Sequence, residues 1–345
     1  MKKSFLLTTI SLLLGLSLPT TGQAQVIAAF PNEGGTYANP IINSNNADPS
    51  YMRCDDGFFY LYATGERIYR SKNLVTWTYV GKVFSDNNKP VYNKTQYYWA
   101  PCINKFGDKY VLYFAVGTMG GTGDDFYIGV ATSDKPSGPF IPYDNPDTPE
   151  NDKGLMFLSS QVGVQVSIDP CYFEENGHKY LFFGSYHGIY ALELREDGLA
   201  LKPGAEKIHI GGTAFEGTYI YKRGQYYYFF GSNGSCCSGA SSTYRTVYGR
   251  STNLLGPYYD KSGGRMLDNK FEVLIQGNDA WAGTGHNAEI TEDKNGNSWI
   301  IYHAYNKKAN GLGRLVLMDQ VHWTSDGWPY VIGSTPSKRA AAPSF

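Results

Sequence analysis

Short apolar runs, rich in Tyr, Phe, Val and Leu, recur along the chain and are cut off by Gly, Asn, Asp and Pro. No long stretch carries apolar residues at the 3.6 spacing of an amphipathic helix, so the pattern predicts strands throughout. One arrangement returns five times, a glycine turn followed by an aromatic strand: DDGFFYLYATG, FGDKYVLYFAVG, NGHKYLFFGSY, RGQYYYFFGSN and NGNSWIIYHAY. The glycines Gly57, Gly107, Gly177, Gly224 and Gly296 stand where a hairpin turn needs positive φ.

The segment after each aromatic strand also repeats. IYRSKNLVTWTYVG, IGVATSDKPSGPFIPYD and VYGRSTNLLGPYYD each read as strand, Ser/Thr-containing turn and aromatic-ended strand, with looser versions at IYALELREDGLALKPG and RLVLMDQVHWTSDGWPYV. Each unit therefore holds about four strands, and the units recur every 50 to 70 residues or so. A twisted four-stranded sheet cannot bury both faces alone, whereas sheets packed face to face around an axis can. The expected fold is all-β, a five-bladed β-propeller over 25–345 as a single domain, with an active site at one mouth of its central channel. The segment from Val26 to Pro40 is expected either to pair with the last blade or to lie on the surface.

The same position of each unit, at the start of its first strand, carries a distinctive residue: Asp48 in ADPSY, Trp99 in YWAPCI, Asp169 in SIDPCY, Glu216 in FEGTY and His286 in GHNAEI. Taken singly, Asp-Pro is an ordinary turn opener. At matched places in five blades, these residues are expected to converge on the channel mouth, where a purely structural protein has no use for three carboxylates and a histidine. The other five histidines, His178, His187, His209, His303 and His322, hold no such place.

Composition narrows the function. The net charge is −1, with no long basic run, which disfavours nucleic acid and anionic membranes. Lys2 and Lys3 before an apolar stretch from Phe5 to Leu18, then Gly22 and Ala24, read as a signal peptide over 1–24, so an exported protein, periplasmic or extracellular, is expected. No later stretch is long and apolar enough for a membrane helix. Of five cysteines, the adjacent Cys236 and Cys237 leave two readings open, a vicinal disulfide or two small thiols.

Carboxylates facing each other across a channel suit glycoside hydrolysis. An inverting enzyme needs an acid and a base roughly 6.5–9.5 Å apart. Asp48 and Glu216 lie on non-adjacent blades. A nearby Asp169 would raise the pKa of Glu216, leaving Glu216 as acid and Asp48 as base. At these residues the chain resembles glycoside hydrolase family 43, and within it the endo-α-1,5-L-arabinanases. The resemblance runs from about Asn39 to Ile332 through ADPS, YWAP, SIDP, FEGTYI, CCSGASSTYRTVYGRS, GTGHN and GWPYV. It implies a propeller, inversion with these same roles, arabinan as substrate, and a calcium ion held largely through water beside His286, with no organic cofactor. Trp99 is expected to stack on sugar and Arg314 to bind a hydroxyl or pair with a carboxylate. A monomer is expected. Cys102, and the stretch GSYHGIY from Gly184 to Tyr190, depart from the arabinanase pattern at positions expected near the groove. Alternatives are an exo-acting arabinofuranosidase or xylosidase of the same family, and a non-catalytic sugar-binding or calcium-dependent adhesion propeller.

Overall fold

The computed structural model describes residues 26–27, 35–90, 97–146 and 154–345. The signal peptide expected over 1–24 lies outside them. Among the described residues the chain is built of strands, and the helical turns are 3-10 segments of three residues. No helix there is long and apolar enough to cross a membrane.

The strands fall into successive antiparallel groups in chain order. Ser50–Arg53, Phe59–Ala63, Arg67–Ser71 and Trp77–Lys82 pair side by side, and Val26–Ile27 adds to the outer edge. Tyr97–Phe106, Lys109–Gly117, Tyr127–Ser133 and Ile141–Pro142 form the second group, and Cys171–Glu175, His178–Phe183, Ile189–Glu193 and Ile208–Gly211 the third. The next sheet has nine strands, but its halves meet through one parallel pair, Arg245 with Thr284. One half is Glu216–Arg223, Tyr226–Asn233, Arg245–Ser251 and Glu272–Ile275. The other joins Trp281–Gly285 and Ile290–Glu292 to Ser298–Asn306, Arg314–Trp323 and Pro329–Tyr330. All five hairpin glycines have positive φ, from 55° at Gly107 to 81° at Gly177.

Strand alternation explains the aromatic runs. Successive side chains point to opposite faces, and here both faces are covered. Tyr228 and Phe230 pack with Ile300, Tyr302 and Leu317 of the last group, while Tyr227 and Phe229 pack with Phe182 and Ile189 of the third. The remaining clusters join first to second, second to third, and last to first, the last through Trp299, Ile301 and Val316 against Phe59, Leu61 and Trp77.

Hydrogen bonds between the first strands run in the same order. Ile103 N donates to Ser50 Oγ at 3.1 Å, Tyr172 N to Cys102 Sγ at 3.4 Å, Ile220 N to Cys171 Sγ at 3.4 Å and Ile290 N to Tyr219 OH at 3.1 Å. Tyr51 N then donates to Glu289 Oε2 at 2.6 Å, which returns the series to its start. Cys102 is thus a buried acceptor in this series and is absent from the wall of the cavity that holds Asp48, Asp169 and Glu216. The expectation that it lies by the groove is corrected. It sits two residues into its strand beyond Ala100, and its buried thiol serves Tyr172 instead.

The N-terminal segment does two things at once. Val26–Ile27 pairs with Trp77–Lys82 of the first group. Thr36–Ala38 pairs with Arg339–Ala341, and Ile41 N donates to Val316 O at 2.8 Å.

Candidate active site

Each group places one residue in the left-handed region at the start of its first strand: Asp48 (φ 53°), Ala100 (43°), Asp169 (58°), Gly217 (60°) and His286 (46°). For residues other than Gly this conformation costs roughly 1–2 kcal/mol. The matched positions thus belong to Ala100 and Gly217, each one residue past the Trp99 and Glu216 read from sequence. At Gly217 an added Cβ would stand 3.2 Å from the His286 ring and from Ser232 Oγ, a tight fit that, with the positive φ, favours glycine. The effect of the sharp turns is convergence. Asp48, Trp99, Asp169, Glu216, His286 and Arg314, read from positions up to 266 residues apart, line one cavity of about 180 Å³. Met119, Ile168, Cys236 and Cys237 complete its wall.

Asp48 is 7% exposed and fully engaged. Arg314 Nη1 donates to its Oδ1 at 2.9 Å and Thr64 Oγ1 to its Oδ2 at 2.6 Å, with His286 Nδ1 3.3 Å from Oδ1. Burial alone would raise this carboxyl, but the Arg314 guanidinium, with the Thr64 hydroxyl, outweighs burial and holds it well below the ordinary range. Burial pushes His286 and His303 down, so both are neutral near pH 7 and Arg314 is the lasting positive charge. His303 Nδ1 lies 3.4 Å from the Asp48 carboxylate but accepts the Asp48 N–H at 3.2 Å, so it carries no proton there and the contact is not an ion pair.

Asp169 and Glu216 are shifted the other way. Burial pushes both up. For Asp169 the Glu216 and Asp48 charges add to it, and the Gly217 N–H, 2.8 Å from Oδ2, only partly opposes them. Glu216 Oε2 accepts from Ser185 Oγ at 2.7 Å, which tempers its rise. Two buried, closely coupled carboxyls do not both ionise easily, so the pair retains a proton while Asp48 stays charged. One cavity therefore holds a carboxyl kept low by Arg314 beside two that burial pushes up.

Residues 37–329 match the sequence model of "Glycosyl hydrolases family 43". The chain belongs to this family. It is a glycoside hydrolase, and an organic cofactor is not expected of it. The family 43 chain is 33% identical over 279 residues to an extracellular endo-α-(1→5)-L-arabinanase of Bacillus subtilis, covering 77% of this chain and 79% of that one. It is 31% identical to an extracellular exo-α-(1→5)-L-arabinofuranosidase of Cellvibrio japonicus, covering 82% and 85%. A solved α-L-arabinanase of Cellvibrio cellulosa, complexed with arabinohexaose, superposes with a TM-score of 0.72 at 29% identity, covering 84% of this chain and 96% of that one.

Calcium takes six to eight oxygen ligands. Among the described residues of the family 43 chain, no group of three or more His, Cys, Asp or Glu is arranged to hold a metal. His286 Nδ1 faces Asp48 and, at 4.0 Å, Asp169, whose oxygens are already committed to Arg314, Thr64 and the Gly217 N–H. This donor set does not fit direct calcium ligation.

Sequence reasoning missed the second ring of residues. Thr64, Ser185 and Ser232 lie at or just past the ends of the aromatic strands, and His303 lies inside Ser298–Asn306. Thr64 Oγ1 accepts from Ala100 N at 3.0 Å, Ser232 Oγ from His286 N at 2.7 Å and His303 from Asp48 N, while Ser185 holds Glu216. The signal was present in the repeat: LYATG, FFGSY, FFGSN and IYHAY each carry a polar residue after the aromatic run begins. GSYHGIY does reach the site, through Ser185. Trp99 lines the cavity with its ring 6.3 Å from Phe126, and Arg314 pairs with Asp48.

Removing Arg314 tests the electrostatics directly. In wild type the lowered Asp48 contributes stability above its unfolded pKa, lost only as pH falls through the depressed folded value. In Arg314→Met the carboxylate is buried without its cation, and its folded pKa rises above the unfolded one. Its ionisation then costs stability as pH rises. The expected loss is about 3 kcal/mol at pH 7 and less at pH 4, where Asp48 takes up a proton. Thermal melts of both proteins at the two pH values check this; an equal deficit at both would contradict it.

Proposed function

We propose that the protein is an exported endo-arabinanase that hydrolyses internal α-1,5-L-arabinofuranosyl bonds with inversion. The observation that carries the reading is the placement of three carboxyls in one cavity in unlike surroundings: Asp48 bonded to Arg314 at 2.9 Å, which holds it low, and Asp169 and Glu216 buried, which pushes both up. Family membership and the arabinanases among its relatives supply the substrate. The five strand groups close as a five-bladed propeller with this cavity at one mouth of the channel. That arrangement is supported by five apolar clusters joining the groups in cyclic order, and by the series of hydrogen bonds that returns from Glu289 to Tyr51. A signal peptide over 1–24 accounts for export, in keeping with relatives named as extracellular. A monomer is the proposed working unit.

In the reaction, Asp48 takes a proton from a water whose oxygen bonds to the anomeric carbon. The bond from that carbon to the leaving O5 breaks, and Glu216 delivers its proton to O5. Asp169 accepts from the backbone N–H next to Glu216, and burial keeps the Glu216 carboxyl up. Arg314 keeps the base ionised. Trp99 offers an indole for the apolar face of a sugar. A calcium ion beside His286 would be held through water and would support the structure of the channel.

Linear arabinan separates the outcomes. Short arabino-oligosaccharides are expected early in the reaction, with the inverted anomer seen first by NMR. Absence of any product would overturn the activity, and the retained anomer would overturn the roles. The exo-acting relative of Cellvibrio japonicus favours a second reading; arabinose or one short product released from chain ends, with no fall in polymer viscosity, would establish it.

A further inference from the structure

Cys236 and Cys237 are joined as a vicinal disulfide, and both line the cavity that holds Asp48, Asp169 and Glu216. The other three cysteines are free and buried. The loop carrying the pair is tied from several directions. Tyr186 OH donates to Gly234 O, Ser242 Oγ to Ser235 O at 2.7 Å, Ser235 N to Thr243 Oγ1 at 2.9 Å and Ser238 Oγ to Cys236 O at 3.1 Å. Cys237 takes φ 59° with its side chain exposed.

The cavity lining is of two chemical kinds: carboxylates, His286 and Arg314 are polar or charged, while Trp99, Met119, Ile168 and the disulfide are apolar. A bond between adjacent cysteines closes a small ring through their peptide bond, so neither side chain can turn. Its sulfurs are polarizable and carry no S–H donor. A furanose presents both a hydroxyl edge and a C–H face. The hydroxyls can meet the charged wall, and the C–H face then needs a firm, donor-free partner.

We propose that the Cys236–Cys237 disulfide is a substrate-positioning wall, against which the sugar beside Glu216 packs its apolar face. The inference rests on the arabinan-cleaving reading of this cavity and adds to it a residue pair outside the acid–base machinery. Opening the bond leaves two rotatable thiols in a loosened loop. Packing made equally in ground and transition states is then lost, which raises KM and spares kcat.

The test uses the mature protein on linear arabinan. Thiol titration in denaturant should find three thiols before reduction, Cys54, Cys102 and Cys171, and five after it. The reductant is a water-soluble phosphine, which takes oxygen from water to become its oxide while the disulfide gains two electrons and two protons. Reduction is expected to raise KM about tenfold with kcat within about a factor of two. The Cys236→Ser/Cys237→Ser protein should show the same KM and no further response to phosphine. Assays are run below the melting midpoint of every form. If the oxidised protein releases no product, the activity reading fails and this inference with it. If it is active but KM ignores both reduction and substitution, or five thiols titrate before reduction, this inference alone is overturned.

Discussion

Glu216→Gln is expected to lower kcat on linear arabinan by about 10³-fold, the scale of a lost general acid. The amide keeps an oxygen to accept from Ser185 but has no acidic proton to give. The protein should fold at least as well as wild type. Glu216 has its folded pKa raised, so its contribution to stability is lost as pH rises from its unfolded pKa toward the folded one, and a neutral amide does not suffer that loss. The loss of rate should depend on the leaving group. With an aryl arabinofuranoside whose phenol is acidic, little protonation is needed, and the deficit should shrink to about tenfold. Asp48→Asn should behave differently. Water must be activated whichever group departs, so a loss of about 10³-fold is expected on both substrates. The two variants thus give a crossed pattern. If Asp48→Asn is the one rescued by a better leaving group, the roles are reversed; if neither variant loses rate, the cavity is not the place of reaction.

Much of this site could be read from the chain because the repeat gives a coordinate system. Asp48, Asp169 and His286 occupy one register position in three units, and the backbone marks it independently with the same left-handed turn. Trp99 and Glu216 were found only because they adjoin that position. The pairing register slips between Trp99 and Cys102 and between Glu216 and Tyr219, an irregularity that period-two counting cannot see. His303 was passed over because it sits inside the apolar run WIIYHAY, where every neighbour is core. Its role depends on which residue faces it across the strand pair, namely Gly285 beside His286. Cys102 was misplaced for a related reason: alternation tells which face a residue takes, but not how far along the strand a cavity extends. The aromatic strands were legible as strands, yet their two buried faces emerge only from the sheets on either side.

Those buried faces leave one junction chemically unlike the rest. Four of the hydrogen bonds linking neighbouring first strands end on neutral acceptors, Ser50, Cys102, Cys171 and Tyr219, and the fifth ends on the carboxylate of Glu289. Its Oε1 accepts from Ser50 Oγ at 2.5 Å and its Oε2 from Tyr51 N at 2.6 Å, so one side chain ties the last group to the first. Truncation should be severe. Glu289→Ala strands the Tyr51 N–H and the Ser50 hydroxyl in a largely closed space, at about 1–3 kcal/mol for each donor left without a partner. A fall of several degrees in melting temperature is expected, roughly 2–4 °C per kcal/mol at most for a chain of this size.

Glu289→Gln should move stability the opposite way above neutral pH. Burial lifts the Glu289 carboxyl from 4.5 to about 7, despite the Ser50 and Tyr51 donors. The folded protein therefore holds a proton that the unfolded chain releases at lower pH. Stability from this group is full below about pH 4.5, falls as pH rises toward 7, and is flat beyond. The amide removes that fall while its oxygen keeps the Tyr51 N–H and its NH₂ meets Ser50. Because the side chain is only partly buried, water screens part of the cost, and a gain of about 1–2 kcal/mol at pH 8 is expected, vanishing near pH 4. Melts of the three proteins from pH 4 to 8 decide the matter. A loss for Ala and a gain for Gln at pH 8, with both differences from wild type moving upward by the same amount between pH 4 and 8 because both variants lack the titrating carboxyl, identify Glu289 as the contact that ties the last group to the first; a common loss in both variants would show that the carboxylate charge itself is what holds the junction.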